Sequence, residues 1–174
     1  MPVQTVTDRG KSALADDPRF HVTTASFLLL GKWFEYLQAN GVYDNTRIIL
    51  VSDHGWGTTH LPGNIILPNG DSLQKYNVLL MVKDFYAEGD LTNSDEFMTN
   101  GDSPLFALDG IIENPVNPFT GTPLKTNKDN GVTIATINAL STYRHGRYVY
   151  NIGKNQWLHV KDNIFDPDNW RVAE

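Results

Sequence analysis

The stretch NGVYDNTRIILVSDHG, residues 40 to 55, decides the fold class of this chain, because a helix ends and a strand begins within it. Apolar residues recur at helical spacing from about Val22 to Gln38, and Gly41 predicts a left-handed cap that closes this amphipathic helix. The segment RIILVS, residues 47 to 52, is apolar without alternation, which predicts a strand covered on both faces. A helix followed by a buried strand indicates an α/β layer.

The next segments along the chain extend this layer, and those near the C-terminus form a different sheet. NVLLMVKDF, residues 77 to 85, predicts a second buried strand, and TNGDSPLFALDGIIE, residues 99 to 113, predicts a helix with Asp102 or Ser103 at its N-cap. Three prolines predict an irregular, exposed connection over 113–131. Short segments after it predict a small antiparallel sheet, with GKN as a hairpin turn between RYVYNI and WLHVKD. We therefore expect an α/β part over 18–112 and an antiparallel tail over 132–174.

Composition excludes several classes of function. The 174 residues carry a net charge of -6, so no broad cationic surface exists to attract nucleic acid. The chain has no cysteine, which excludes disulfides and thiolate metal sites. The apolar runs FLLL and IILV are far shorter than the roughly 20 residues that a membrane helix requires.

Asp53 and His54 stand where the first predicted strand ends, which is where active sites of open α/β sheets gather. Glycines at 55 and 57 allow a sharp backbone turn, so both side chains can converge. An oxygen and an imidazole ligand suit Zn²⁺ or Mn²⁺ better than Ca²⁺, which prefers oxygen. Zinc needs about four ligands, so His60 or groups outside this chain would complete the shell. The alternative is a turn that holds an internally bonded histidine. A Ser52-Asp53-His54 triad is excluded, because sequence neighbours cannot align as nucleophile, base and orienter.

The order of helix, turn, strand and Asp-His-Gly resembles the C-terminal metal motif of the sulfatase branch of the alkaline phosphatase superfamily. This branch includes arylsulfatases, phosphoethanolamine transferases and phosphoglycerol transferases. YNVLLMVKDF and FMTNGDSPLFALDGIIENPVNPFTG are also similar to the segments after the motif in membrane-anchored bacterial members, so the resemblance covers most of residues 20 to 125. It implies a partial alkaline-phosphatase-like α/β layer.

The resemblance assigns roles residue by residue. It makes Asp53 and His54 ligands of a catalytic divalent metal, Mn, Zn or Ca. Phosphoethanolamine transferases place one histidine shortly after the motif and another near the start of the preceding helix, and His60 and His21 stand in similar places. The resemblance makes these two histidines catalytic candidates that would protonate the leaving alkoxide or bind an ester oxygen. GWGTTH departs from the family, which usually has an acidic residue after the glycine of the motif.

The resemblance also implies what this chain would need. The family's nucleophile and first acidic ligand come from an N-terminal half, so we expect a C-terminal fragment that is inactive alone and has that half of the same protein as its partner. The intact enzyme would transfer or hydrolyse a sulfate or phosphate ester, lipid-linked or on a glycan, at the extracytoplasmic face of a bacterial membrane. The missing nucleophile leaves an alternative open, a non-catalytic module that binds anionic cell-envelope glycans.

Two further residues are candidates for contact with an anionic substrate. Lys83 follows the second predicted strand, where an edge lysine is the alternative interpretation. His145 lies in the basic aromatic segment YRHGRY, which is also typical of an exposed strand end.

Overall fold

A computed structural model of the chain describes residue 14 and residues 17–57, 63–124, 130–136, 142–144, 147–149 and 157–173. Helices and small antiparallel sheets are both present, so the expectation of a mixed α and β protein is confirmed. The chain forms two compact units, Met1–Arg47 with Asp84–Gly89, and Ile48–Lys83 with Asp90–Glu174. This division differs from the predicted parts 18–112 and 132–174, because residues 48–83 fall in one unit with the C-terminal strands.

The first unit contains one long helix, α1, over Pro18–Ala39. The Asp17 carboxylate accepts the amide of Arg19 at 2.8 Å, and Pro18 occupies the first helical position, where a missing N–H costs nothing. Gly41 has φ +67° and donates its amide to the Gln38 carbonyl, so the predicted left-handed cap is confirmed.

The side chains of α1 do not form the predicted amphipathic pattern. Only Ala25 is buried, and the exposed large apolar residues of this helix are Val22, Phe27, Leu28, Leu29, Trp33 and Tyr36. At 100° per residue these positions surround the helix axis, so α1 is apolar on every side instead of along one stripe. No described helix has both the length and the apolar character needed to cross a bilayer.

The second unit begins with two strands that pair antiparallel, β1 over Ile48–Val51 and β2 over Leu80–Lys83. Ile48 is buried, but Val51 and Val82 are 45% and 40% exposed. The expectation that both strands are covered on both faces is therefore wrong. Among the described strands β1 pairs only with β2, and a two-stranded ladder of this kind leaves part of its apolar surface to solvent.

The predicted second helix is shorter than its sequence pattern. A 3-10 turn over Asn100–Asp102 leads into α2, Ser103–Leu108. Thr99 and Asp102 form a capping box, in which the Asp102 carboxylate accepts the Thr99 amide at 2.7 Å. Gly110, with φ +70°, follows the last turn, so Ile112 lies beyond the helix and is half-exposed.

The C-terminal strands form two antiparallel sheets. The larger has the order β3-β6-β7, with β3 over Val132–Ala135, β6 over Trp157–Val160 and β7 over Trp170–Val172. The smaller pairs β4, Thr142–Arg144, with β5, Arg147–Val149. The antiparallel pairing of these strands was predicted. The prediction that RYVYNI and WLHVKD form one hairpin is wrong, because β5 pairs with β4, whereas β6 pairs with β3 and β7. The GKN segment itself lies outside the described residues.

The core of the second unit joins the larger C-terminal sheet to the loop that follows the Asp-His pair. Its buried members are Leu158, Val160 and Trp170 from the sheet and Leu67 and Leu73 from the loop. The Tyr76 and Trp170 rings, 5.8 Å apart, extend this contact. The larger C-terminal sheet therefore packs against this loop within the second unit.

Candidate functional site

The site begins where β1 stops pairing. The Ser52 amide donates to the Leu79 carbonyl at 3.0 Å, and the Leu79 amide donates to Ser52 Oγ at 2.8 Å. These two bonds continue the ladder by one residue, so Asp53 is the first residue beyond it. The Ser52 hydroxyl thus accepts a backbone hydrogen bond, in agreement with the exclusion of a Ser52-Asp53-His54 triad.

The side chains of Asp53 and His54 lie on the same side of the chain. His54 Nε2 is 3.7 Å from Asp53 Oδ2, and the Asp53 carboxylate is 88% exposed. His54 Nδ1 lies 2.6 Å from the Gly55 carbonyl, which only accepts, so Nδ1 carries the hydrogen and neutral His54 keeps the lone pair of Nε2. Backbone carbonyls orient metal-binding histidines in this manner.

The backbone after the pair is held against the turn over residues 73–77. The Gly55 amide donates to the Lys75 carbonyl at 3.0 Å. A Cβ at position 55 would lie 1.8 Å from the Gln74 carbonyl oxygen and 2.7 Å from that of Asn77. A sharp backbone turn was predicted at Gly55 and Gly57, but neither residue has a positive φ. The reason for Gly55 is the close approach of two backbone segments.

A buried carboxylate stabilises the turn that Gly55 contacts. Asp71 is 5% exposed and accepts hydrogen bonds from Asn69 Nδ2 at 2.9 Å, Lys75 Nζ at 2.5 Å and Tyr76 Oη at 2.7 Å. Burial alone raises the pKa of Asp71, but the hydrogen bonds from Lys75 and Tyr76 outweigh it and hold this pKa below its ordinary value. Asp71 is therefore charged at neutral pH and ties the turn together.

A cavity of about 320 Å³ opens beside the Asp-His pair. Asp53, His54 and Asn100 belong to its polar lining, and the Asn100 amide group donates to the Asp53 carbonyl at 3.1 Å. The C-terminal sheet supplies apolar lining, including Ile134 and Trp170. A few polar groups beside a mostly apolar wall are typical of cavities that bind small molecules.

Asp53 and His54 fit part of a metal shell. Two atoms that are each about 2.1 Å from one tetrahedral ion lie about 3.4 Å apart, close to the 3.7 Å between His54 Nε2 and Asp53 Oδ2. Among the described residues no cluster of three or more His, Asp or Glu side chains is arranged to hold a metal. The described pair accounts for half of the roughly four ligands that zinc requires.

Of the other predicted site residues, the structure describes His21 and Lys83. His21 lies in the first turns of α1, in the other compact unit, with its ring edge-on to Phe20. Lys83 pairs with Ile48, at the opposite end of the β1-β2 ladder from Asp53 and about 17 Å along the strand. His60 and His145 lie outside the described residues.

Three residues that shape the site were not predicted from the sequence. Asn100 contacts the backbone of the pair, and Lys75 lines the cavity while bound to Asp71. The i,i+4 spacing of Asp71 and Lys75 was a readable signal for their contact. The contact of Asn100 with Asp53 spans 47 residues and has no local signal.

Comparisons of this chain with protein-family models, with curated proteins and with solved structures gave no match.

Proposed function

We propose that this chain supplies Asp53 and His54 to the metal centre of a sulfatase-like enzyme that hydrolyses or transfers sulfate or phosphate esters. The observation that carries the proposal is the convergence of the carboxylate and the imidazole, 3.7 Å apart at a strand end and open to solvent. The alkaline-phosphatase-like fold and the N-terminal half of the same protein, as its partner, belong to this proposal. They rest on the resemblance of residues 20 to 125.

The geometry of the pair gives each side chain a role. Asp53 presents a carboxylate oxygen that is open to solvent, and His54 presents Nε2 because its Nδ1–H donates to the Gly55 carbonyl. A divalent cation held there would withdraw charge from the ester and from its attacking group. The Asn100 side chain donates a hydrogen bond to the Asp53 carbonyl and so holds the Asp53 backbone, which determines the direction of the Asp53 side chain.

In this proposal, the cavity beside Asp53 and His54 is the binding site of the ester. Its polar lining adjoins Asp53 and His54, whereas Ile134, Val160 and Trp170 supply an apolar wall. With a cation held by Asp53 and His54, a charged sulfate or phosphate group would be stabilised at the polar side, which Lys75 and Asn100 also line. The alcohol part of the ester would then lie toward the apolar wall.

Metal titration calorimetry with Mn²⁺ and Zn²⁺ tests the proposal on these 174 residues. We expect weak binding, because two ligands leave most of the cation to water. We expect Asp53→Ala and His54→Ala each to weaken it by about tenfold or more. Asp95→Ala is the matched control, because it removes the same charge from an exposed loop of the same unit. Equal affinity of the Asp53→Ala and Asp95→Ala variants would remove the proposal.

A further inference from the structure

The outer face of the larger C-terminal sheet carries a row of polar side chains. Thr133 pairs with His159, and His159 pairs with Arg171, so the three lie side by side across β3, β6 and β7. Cβ atoms in such a row are about 5 Å apart. Lys161 comes two residues after His159 and points to the same face, about 7 Å along the strand. We name Thr133, His159, Lys161 and Arg171 the sheet-face patch.

Two grooves meet at this patch. One has a volume of about 310 Å³ and is lined by His159, Lys161 and Arg171, together with Asn169 and Asp168. The other has a volume of about 370 Å³ and is lined by Thr133, His159 and Arg171. Since His159 and Arg171 line both grooves, a ligand in either one contacts the same two donors.

The patch carries the positive charges of Lys161 and Arg171 in a chain whose net charge is -6. Among the described residues, no carboxylate oxygen lies within 4.0 Å of the Arg171 guanidinium, and Asp168 is the one acidic residue that lines the grooves. Lys161 has Asp162 at 4.0 Å, but both side chains are more than half exposed, so this pair neutralises little charge. The Arg171 guanidinium is therefore available to form charge-assisted hydrogen bonds with a bound anion.

The ring of His159 is already oriented within the row. Its Nδ1 lies 3.1 Å from Thr133 Oγ1. When the Thr133 hydroxyl donates to Nδ1, the hydrogen of the neutral ring is on Nε2, which then serves as a donor. Gly131 keeps the space beside this atom open, because a Cβ there would lie 2.9 Å from Nε2. The imidazole and the guanidinium both line the first groove, and neither His159 Nε2 nor the Arg171 guanidinium is hydrogen-bonded to another of the described residues.

We infer that the sheet-face patch binds a tetrahedral oxyanion, a phosphate or sulfate group, through Arg171, His159 and Lys161. The guanidinium matches two oxygens of such a group at once, and the ring N–H and the ammonium take the others. The group is either a free ion or an ester carried by a sugar. This site uses none of the residues assigned to the metal centre, so it does not depend on the proposed function.

Sulfate and phosphate titrations followed by amide NMR shifts test the inference. Sodium chloride at equal ionic strength corrects for screening. We expect shifts at β6 and β7 with a dissociation constant on the order of 1 mM. Arg171→Gln should weaken binding about tenfold and His159→Gln about threefold, since a charge-assisted donor contributes more than a neutral one. Lys32→Gln is the matched control, because it removes one exposed positive charge from α1.

Each outcome of this experiment decides something. Equal affinities of the Arg171→Gln and Lys32→Gln variants, or shifts no larger than those with chloride, would overturn the inference. Tighter binding of glucose 6-sulfate or glucose 6-phosphate than of the free ions would identify a sugar ester as the ligand, and equal binding would identify the ion. Unchanged sulfate affinity in Asp53→Ala separates this site from the metal centre.

Discussion

Two aspartates in loops of the same unit have opposite environments. The side chain of Asp71 is 6% exposed and accepts hydrogen bonds from Asn69, Lys75 and Tyr76. The side chain of Asp53 is 88% exposed, and among the described residues it accepts the amide of His54 and has the ring of that residue at 3.7 Å. The fold uses the charge of Asp71 internally, whereas it leaves that of Asp53 available to a ligand.

The two loops are nevertheless one structure, because Gly55 joins them. Its amide donates to the carbonyl of Lys75, whose ammonium is bound to Asp71. Asp71 therefore acts at a distance on the position of the Asp-His pair, through the turn over residues 73–77. The Asp71 carboxylate therefore stabilises the site, whereas the Asp53 carboxylate is the one proposed to hold the metal.

The largest effect is expected where the two loops touch. Gly55→Ala would place a Cβ 1.8 Å from the Gln74 carbonyl oxygen, and backbone on both sides cannot move without breaking the Gly55-Lys75 hydrogen bond. We expect a loss of about 3 kcal/mol or more in the free energy of unfolding, measured by urea denaturation.

Gly101→Ala is the control for this substitution. Its Cβ would meet only Thr99 Oγ1 at 3.4 Å, an ordinary contact in the same unit, so a change within about 0.5 kcal/mol is expected. If both alanine variants unfold at the same urea concentration, the two loops do not approach each other as closely as described.

A smaller effect separates the two aspartates directly. Asp71→Ala removes the acceptor of Lys75 and Tyr76, and we expect a loss of about 2 kcal/mol, less than for a fully buried pair because the Lys75 side chain is 29% exposed. Asp53→Ala makes the same substitution on the exposed carboxylate and should change stability by less than about 0.5 kcal/mol. Equal losses in the two variants would contradict the distinction between a structural and an available carboxylate.

The sequence predicted the parts of this fold that depend on local chemistry. The cap at Gly41, the strand ahead of Asp53 and the antiparallel character of the C-terminal strands follow from residue type and spacing alone. The pairing partners were not predictable, because β6 combines with β3 and β7 through contacts that a periodic pattern does not specify. The exposed apolar side chains of α1 were also missed, since a few favourable positions suggested a single stripe while Leu29, Trp33 and Tyr36 lie together on another side of the helix.

In the candidate site, too, some residues were predictable from the local sequence and others were not. Asp53 and His54 were identified because they are adjacent and follow an apolar strand, so the local sequence contains both the residues and their setting. The importance of Gly55 was recognised for the wrong reason, a turn instead of a close approach to Gln74 and Asn77. Asn100 was missed because a contact with a distant segment creates its role, whereas Asp71 was missed although its partners Lys75 and Tyr76 lie within five residues of it.

The smallest expected effect is the pH dependence of the free energy of unfolding that results from the titration of Asp71. The hydrogen bonds from Lys75 and Tyr76 hold the pKa of Asp71 below its ordinary value, so the unfolded chain binds this proton before the folded one does. The stabilisation is complete above the unfolded pKa of about 4 and is lost as the pH falls through the lower, folded pKa. Urea denaturation of the wild-type chain and of Asp71→Asn, from about pH 6 down to about pH 2, should show the wild-type advantage shrinking below about pH 4. An advantage that is constant across this range would mean that the charge of Asp71 contributes nothing, and that its hydrogen-bonding geometry alone stabilises the turn.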